Sequence, residues 1–204
     1  EPNVRAWERD GFFPRDLFRA AGRAGLLGAF IPEEYGGPGG DFLLRLVIAE
    51  ELGYSRAGAS VAPAFIGDGT AEILRKNASE ELKRKFLPGM VKGEIRMAFA
   101  LTEPDSGSDP ASMRSTAVKD GDEWVINGAK TYISNSAMAD VIMLAVKTDP
   151  EAGNRGISVI LVETDRPGFR RGRSLHKMGS LASDTGEIFF DNVRVPVSNT
   201  MGAE

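Results

Sequence analysis

The 204-residue chain contains no cysteine and a single histidine. The first absence excludes a disulfide framework, a thiolate metal site, an iron–sulfur cluster and a thiol nucleophile. The second excludes multi-histidine zinc sites and argues against a histidine-based triad. No apolar run reaches the roughly 18 residues that a bilayer span needs, and no signal-peptide pattern opens the sequence. Basic charge is not in excess either. The 25 Lys and Arg residues against 29 Asp and Glu give a net charge of −4, which is no footprint of a nucleic-acid binder. What remains is a globular composition, 42% hydrophobic and 26% charged, which rules out wholesale disorder. A soluble, cytosolic-type protein is expected. The sequence opens at Glu1 without Met and closes at Met201-Gly202-Ala203-Glu204 just after a strand-like stretch, so a piece of a longer protein is expected too.

The two halves read differently. Charge is balanced over residues 1–97, and the whole net charge of −4 falls in residues 98–204. Helix-type patterning dominates the first half. Pro14-Arg15-Asp16 opens a helix through Ala24, because proline's missing N–H has no helical partner in a first turn. The glycine-rich run from Pro32 to Gly40 reads as a loop. Asp41 caps a helix over 41–54 whose near-uniform apolarity predicts a central position. The segment 58–77 reads as a second buried helix, and Ser79 caps a third over 80–91 with one polar face.

From about residue 97 the pattern turns to strands: Ile95–Leu101, Ser115–Lys119, Glu123–Asn127, Lys130–Ser134, Val141–Val146, Ile157–Val162, Gly168–Arg171 and Glu187–Phe190. Asp120-Gly121 and Asn127-Gly128 suit tight hairpin turns because both dipeptides accept positive φ. Successive strands with no helix between them predict an antiparallel sandwich or barrel. The fold class is therefore α+β, with a helical domain over 1–97, a β domain over 98–197, and the start of a linker over 198–204.

Two stretches could carry chemistry. In Ala98–Asp109 a strand ends at Thr102 and a loop follows, rich in hydroxyls, glycine and backbone N–H groups. Such donor sets bind anions and polar ring edges. An ordinary hairpin loop with Asx and Ser turns uses the same residues, and composition alone favours it. In Lys130–Ser136, Tyr132 and Ser134 stand two apart on a strand and so share a face. A ring could stack on a flat ligand there while the hydroxyl donates to its edge. A core tyrosine beside a surface serine is the plainer alternative. No Gly-x-Gly-x-x-Gly follows a strand, so a Rossmann dinucleotide site is not indicated. His176, the basic run Arg170-Arg171-Gly172-Arg173 and the Glu33-Glu34 pair each read first as solvated surface. No residue stands out as a general base in a pocket.

The signature Ala100-Leu101-Thr102-Glu103-Pro104-Asp105-Ser106-Gly107-Ser108-Asp109 resembles the acyl-CoA dehydrogenase family. Four more stretches fall in family order: Pro32-Glu33-Glu34-Tyr35-Gly36-Gly37, Ile126-Asn127-Gly128-Ala129-Lys130, Tyr132-Ile133-Ser134-Asn135, and Phe190-Asp191-Asn192-Val193-Arg194-Val195-Pro196. Five matches in order over essentially the whole chain are specific where one would be weak. The Gly36–Phe42 and Arg173–Gly179 variants look closest to the long-chain branch.

The resemblance implies an FAD-dependent enzyme that removes an α-proton and a β-hydride from acyl-CoA thioesters, with the hydride passing to flavin N5. It implies a third, C-terminal helical domain, and a glutamate base that lies beyond residue 204, so no catalytic residue is assigned here. The flavin would lie along Phe99, Ala100, Leu101, Thr102, Gly107 and Ser108, and against Tyr132, Ile133 and Ser134. Thr102 would hydrogen-bond the isoalloxazine, and Tyr132 would stack near it where relatives often carry Trp. Ser134 would reach the N5 region. Ser108 would lie near the FAD pyrophosphate or the pantetheine of the substrate. The helices over 41–54 and 58–77 would floor the acyl cavity. Electron-transfer flavoprotein is the implied partner, a homotetramer or homodimer the implied assembly, and bacterial cytoplasm or mitochondrial matrix the implied location. An acyl-CoA oxidase or flavin monooxygenase on the same fold, or a non-catalytic FAD- or acyl-CoA-binding module, are the alternatives. For the 204 residues alone, weak FAD binding and no dehydrogenation are expected.

Overall fold

The structure, a computed structural model, describes residues 2–55, 65 and 69–202. It divides into two compact units, Glu1–Arg96 with His176–Asp184, and Met97–Leu175 with Thr185–Glu204.

The first unit is helical: α1 (Val4–Asp10), α2 (Arg15–Arg23), α3 (Phe42–Gly53), α4 (Gly69–Asn77) and α5 (Glu80–Val91). Both caps read from the sequence are formed. The Asp41 carboxylate accepts from the Leu43 and Leu44 N–H groups at 2.9 and 3.1 Å, and Ser79 Oγ accepts from Leu82 N–H at 3.3 Å. They satisfy amides that the first turn leaves without helical partners. The loop between α2 and α3 folds tightly where a side chain could not. A Cβ at Gly37 would lie 2.0 Å from the Ile31 carbonyl oxygen. Tyr35 then anchors the loop, its hydroxyl donating to the Glu80 carboxylate at 2.9 Å. A core of Phe13, Phe18, Ala21, Leu27, Phe65 and Ala182 holds the unit together.

Ala182 comes from a stretch that the sequence placed in the β domain. His176–Asp184 packs instead with the helices. A buried contact explains this: the Arg96 guanidinium stacks 3.9 Å above the Phe18 ring and lies 3.7 Å from the Asp184 carboxylate. Another expectation also changes. Helix α3 buries Ile48, whereas Phe42, Leu43, Leu46 and Val47 are exposed. A helix that is apolar all round carries no polar face to say which side packs. Of the helix expected over 58–77, residues 58–64 and 66–68 lie outside the described residues, and α4 accounts for its end.

The second unit is one eight-stranded, mostly antiparallel sheet in the order β6-β7-β3-β2-β4-β5-β8, with β1 paired to β4. The strands are β1 (Met97–Ala100), β2 (Thr116–Asp120), β3 (Glu123–Ser134), β4 (Val141–Lys147), β5 (Ile157–Glu163), β6 (Phe169–Ser174), β7 (Thr185–Pro196) and β8 (Thr200–Met201). The sheet folds around a core that includes Ile126, Ile133, Ile142, Leu144, Ile160 and Val193. The expected hairpin at Gly121 forms, with φ of +62°. At Asn127-Gly128 there is no turn. Strand β3 runs straight through, with a bulge between Ile126 and Gly128. Gly128 serves a close approach instead, since a Cβ there would meet Ser115 Oγ at 2.2 Å. Residues 200–201, read as linker, pair with β5 as its outer neighbour.

Two pairings are parallel and decide where the site lies. Strand β1 runs beside Val141–Leu144 of β4, and Thr116 of β2 meets Lys147 of the same strand. One position in the sheet, between β3 and β4, is thus shared by β1 at one end and β2 at the other. The chain leaves the sheet after Thr102, whose carbonyl accepts from Thr131 N–H at 2.9 Å, and returns at Ser115, whose carbonyl accepts from Lys147 N–H at 3.0 Å. The intervening loop stands out from this split.

Candidate functional site

Around the split the sheet has two faces of different character. On β1, Ala98 and Ala100 belong to the core, so Phe99 between them projects outward, 40% exposed. On β3, Ile133 belongs to the core, and Tyr132 and Ser134 on either side are exposed. Phe99, Tyr132 and Ser134 therefore lie on the outer face, and the bond between Thr131 and Thr102 ties the two strands together beside them. Tyr132 adopts φ of +58°, within a register shift between Lys130 and Ile133. A left-handed, non-glycine residue in a strand is a strained conformation that re-aims a side chain, and such outliers gather at functional sites. Asn135, at φ +65°, ends the strand the same way.

The nine residues read from the sequence separate by what they present. Phe99, Tyr132, Ser134 and Ser108 are exposed, and Leu101, Thr102 and Gly107 are half-buried. Ala100 and Ile133 point into the core, so only their backbone can face a ligand. Among the described residues, the hydroxyls of Thr102, Ser108 and Ser134 and the backbone N–H of Thr102 have no protein partner. The surface is thus an aromatic shelf bordered by uncommitted donors.

Two residues that sequence reasoning quoted without a role hold this arrangement in place. Lys130 and Glu103 are buried, with side chains 0% and 5% exposed, and pair at 2.8 Å. Lys130 Nζ also donates to the Leu101 carbonyl at 2.9 Å. The Glu103 carboxylate accepts from the Arg114 and Ser115 N–H groups at 2.6 and 3.0 Å, closing the base of the loop. Burial alone would raise the Glu103 carboxyl, but the bonds from Lys130 and the loop amides outweigh it and hold it below the usual carboxylate value. Burial pulls the Lys130 ammonium down, against the Glu103 carboxylate that holds it up. The available signal was a lysine in the same alternation as the core residue Ile126, four residues earlier on β3, and a lysine turned inward needs a buried partner.

The other candidates have structural partners or stand in solvent. Arg171 donates to the Ser136 and Ala139 carbonyls, and Arg173 pairs with Glu187. His176, Glu33 and Glu34 are exposed. No group of His, Asp or Glu among the described residues could hold a metal, and no described helix is long and apolar enough to cross a membrane.

Comparison with known proteins decides the lineage. Residues 1–94 match the family model for the acyl-CoA dehydrogenase N-terminal domain, and residues 98–193 match the one for the acyl-CoA dehydrogenase middle domain. The chain belongs to the acyl-CoA dehydrogenase family. It is 40% identical to the mitochondrial long-chain specific acyl-CoA dehydrogenase of Sus scrofa, over 100% of this chain and 47% of that protein. It superposes on the acyl-CoA dehydrogenase of Geobacillus kaustophilus with a TM-score of 0.92 and 42% identity, over 100% of this chain and 54% of that one. A glutaryl-CoA dehydrogenase from Mycobacterium smegmatis, determined in complex with FADH2, matches with a TM-score of 0.83 and 34% identity, over 98% of this chain and 50% of that one. The chain spans about half the length of the curated relatives it matches. Members of this family are flavoproteins, and the residues present fit a flavin: exposed aromatic side chains share the outer face with uncommitted donors.

Proposed function

We propose that this chain carries the flavin-binding face of an FAD-dependent acyl-CoA dehydrogenase. The observation that supports it best is the shelf itself, where Phe99 and Tyr132 stand exposed on the face of the Thr102 N–H and the Thr102 and Ser134 hydroxyls, which have no protein partner among the described residues. Bound FAD supplies an acceptor for a hydride, which no side chain of the chain can provide. The protein's own part is orientation and charge stabilisation. The aromatic shelf fixes the plane of the ring, and donors at its edge stabilise negative charge arriving there. Ser108, exposed on the loop, faces outward to the phosphate or pantetheine part of a ligand.

Removing the α-proton of a thioester needs a positioned carboxylate. Glu103, the buried carboxylate of the signature loop, is committed to Lys130 and two amides. As the family resemblance implies, the base is assigned to the part of the relatives' length that this chain does not span. Acyl-CoA is the substrate class and electron-transfer flavoprotein the partner of this reading.

The experiment is anaerobic addition of acyl-CoA to the flavin-loaded, longer protein. Bleaching of the visible flavin absorbance, slowed by Thr102→Ala and Ser134→Ala, supports the reading. If no acyl-CoA bleaches the flavin, the reading fails. Reoxidation by air as fast as by an electron-transfer protein would point to an oxidase.

A further inference from the structure

The Leu101–Thr102 peptide stands between a buried charge and the shelf. On one side its carbonyl accepts from Lys130 Nζ at 2.9 Å. On the other, the N–H of the same peptide, that of Thr102, has no protein partner among the described residues. A trans amide is planar, with C=O and N–H pointing in opposite directions. An ammonium at the carbonyl oxygen draws electron density through the amide and makes its N–H a stronger donor, as neighbouring bonds in a chain polarise one another. Because Lys130 is fully buried, water screens this effect little.

We propose that Lys130 is a positioning residue that acts through the Leu101–Thr102 peptide, charging the Thr102 N–H as a donor toward the ring edge of a bound flavin, and so favouring the electron-rich reduced form over the oxidised one. The proposal rests on the flavin reading above. It assigns the buried pair an electrostatic duty beyond closing the loop. Glu103 tempers the field of Lys130, and the two members of the pair act on the ring in opposite directions.

That opposition supplies the test. Lys130→Met removes the positive charge, whereas Glu103→Gln keeps it and removes its counter-charge. The affinities of oxidised and reduced FAD for the 204-residue chain are measured for both variants, with folding checked by circular dichroism. The expected result is that Lys130→Met lowers the reduced-to-oxidised affinity ratio about tenfold, which equals a fall of about 30 mV in a two-electron potential. Glu103→Gln raises the ratio about threefold. A purely structural role would weaken both forms alike in both variants, and an unchanged ratio, or a shift in the same direction in both, overturns the proposal while leaving the flavin reading intact. If the unsubstituted chain binds neither form, the flavin reading fails and the proposal falls with it. Should Lys130→Met not fold, Glu103→Gln decides alone: a raised ratio supports the proposal, and an unchanged or lowered one overturns it.

Discussion

In each unit a buried ion pair fixes a loop, yet the two units cover their apolar residues very differently. In the helical unit Arg96 and Asp184 hold His176–Asp184 at 3.7 Å, over the Phe18 ring. In the β unit Lys130 and Glu103 clasp the base of the 102–115 loop at 2.8 Å. Strand β4 then buries every residue from Val141 to Val146, while α3 leaves Phe42, Leu43, Leu46 and Val47 exposed. A continuous apolar run thus signals burial along a strand such as β4. On an all-apolar helix it does not fix the packed side.

The largest effect is expected from removing one charge of the clasp. Lys130→Met leaves the Glu103 carboxylate buried and unpaired, and is expected to cost about 3–5 kcal/mol, read by urea unfolding. Adding Glu103→Gln, which removes the buried charge and keeps an oxygen for the Arg114 and Ser115 N–H groups, recovers most of that loss. If the single change costs under about 1 kcal/mol, the pair is not the clasp described here. Next comes the same substitution made in both units. Leu144→Ala, in the sheet core, is expected to destabilise by about 2–5 kcal/mol. Leu46→Ala, on the open side of α3, is expected to stay within about 0.5 kcal/mol. Equal costs would mean that the face of α3 is covered in solution.

The smallest effect is a pH dependence. On α4, hydrogen bonds from Arg75 and then Lys76 outweigh desolvation and hold the Glu72 carboxyl down to about 2. A carboxyl with a depressed folded-state value adds stability that is present above its unfolded value of 4.5 and is lost as pH falls toward about 2. Glu72→Gln should therefore flatten the acid limb of helical-unit stability between those values. The loss at neutral pH should be at most about 1 kcal/mol, as expected for a pair on a helix surface. A Glu72→Gln protein with the same acid limb as the parent would remove this contribution.

Much of the architecture was legible because its signals are local. Asp41 and Ser79 announce their helices by capping chemistry, and the apolar runs of β4 and β5, rich in β-branched residues, announce strands of the sheet core. What was not legible depends on contacts distant in sequence. Asn127-Gly128 has the composition of a turn, but the approach of Ser115 makes the glycine a necessity within a strand. Nothing near His176–Asp184 says that Arg96 will draw it to the helices. At the site, the same-face placement of Tyr132 and Ser134 follows from strand alternation. The left-handed turn at Tyr132 and the clasp beneath Thr102 do not, because both arise where β1 and β2 share one sheet position.

The outer face beside Thr102 is proposed to bind a flavin ring. Titrating the 204-residue chain with FAD and following flavin fluorescence tests it directly, in parallel with Thr102→Val and Ser134→Ala. Weak, saturable quenching is expected, loosened about tenfold by each variant, as befits the loss of a hydrogen bond worth roughly 1–1.5 kcal/mol. Absence of saturable binding, or binding that neither variant weakens, would contradict it.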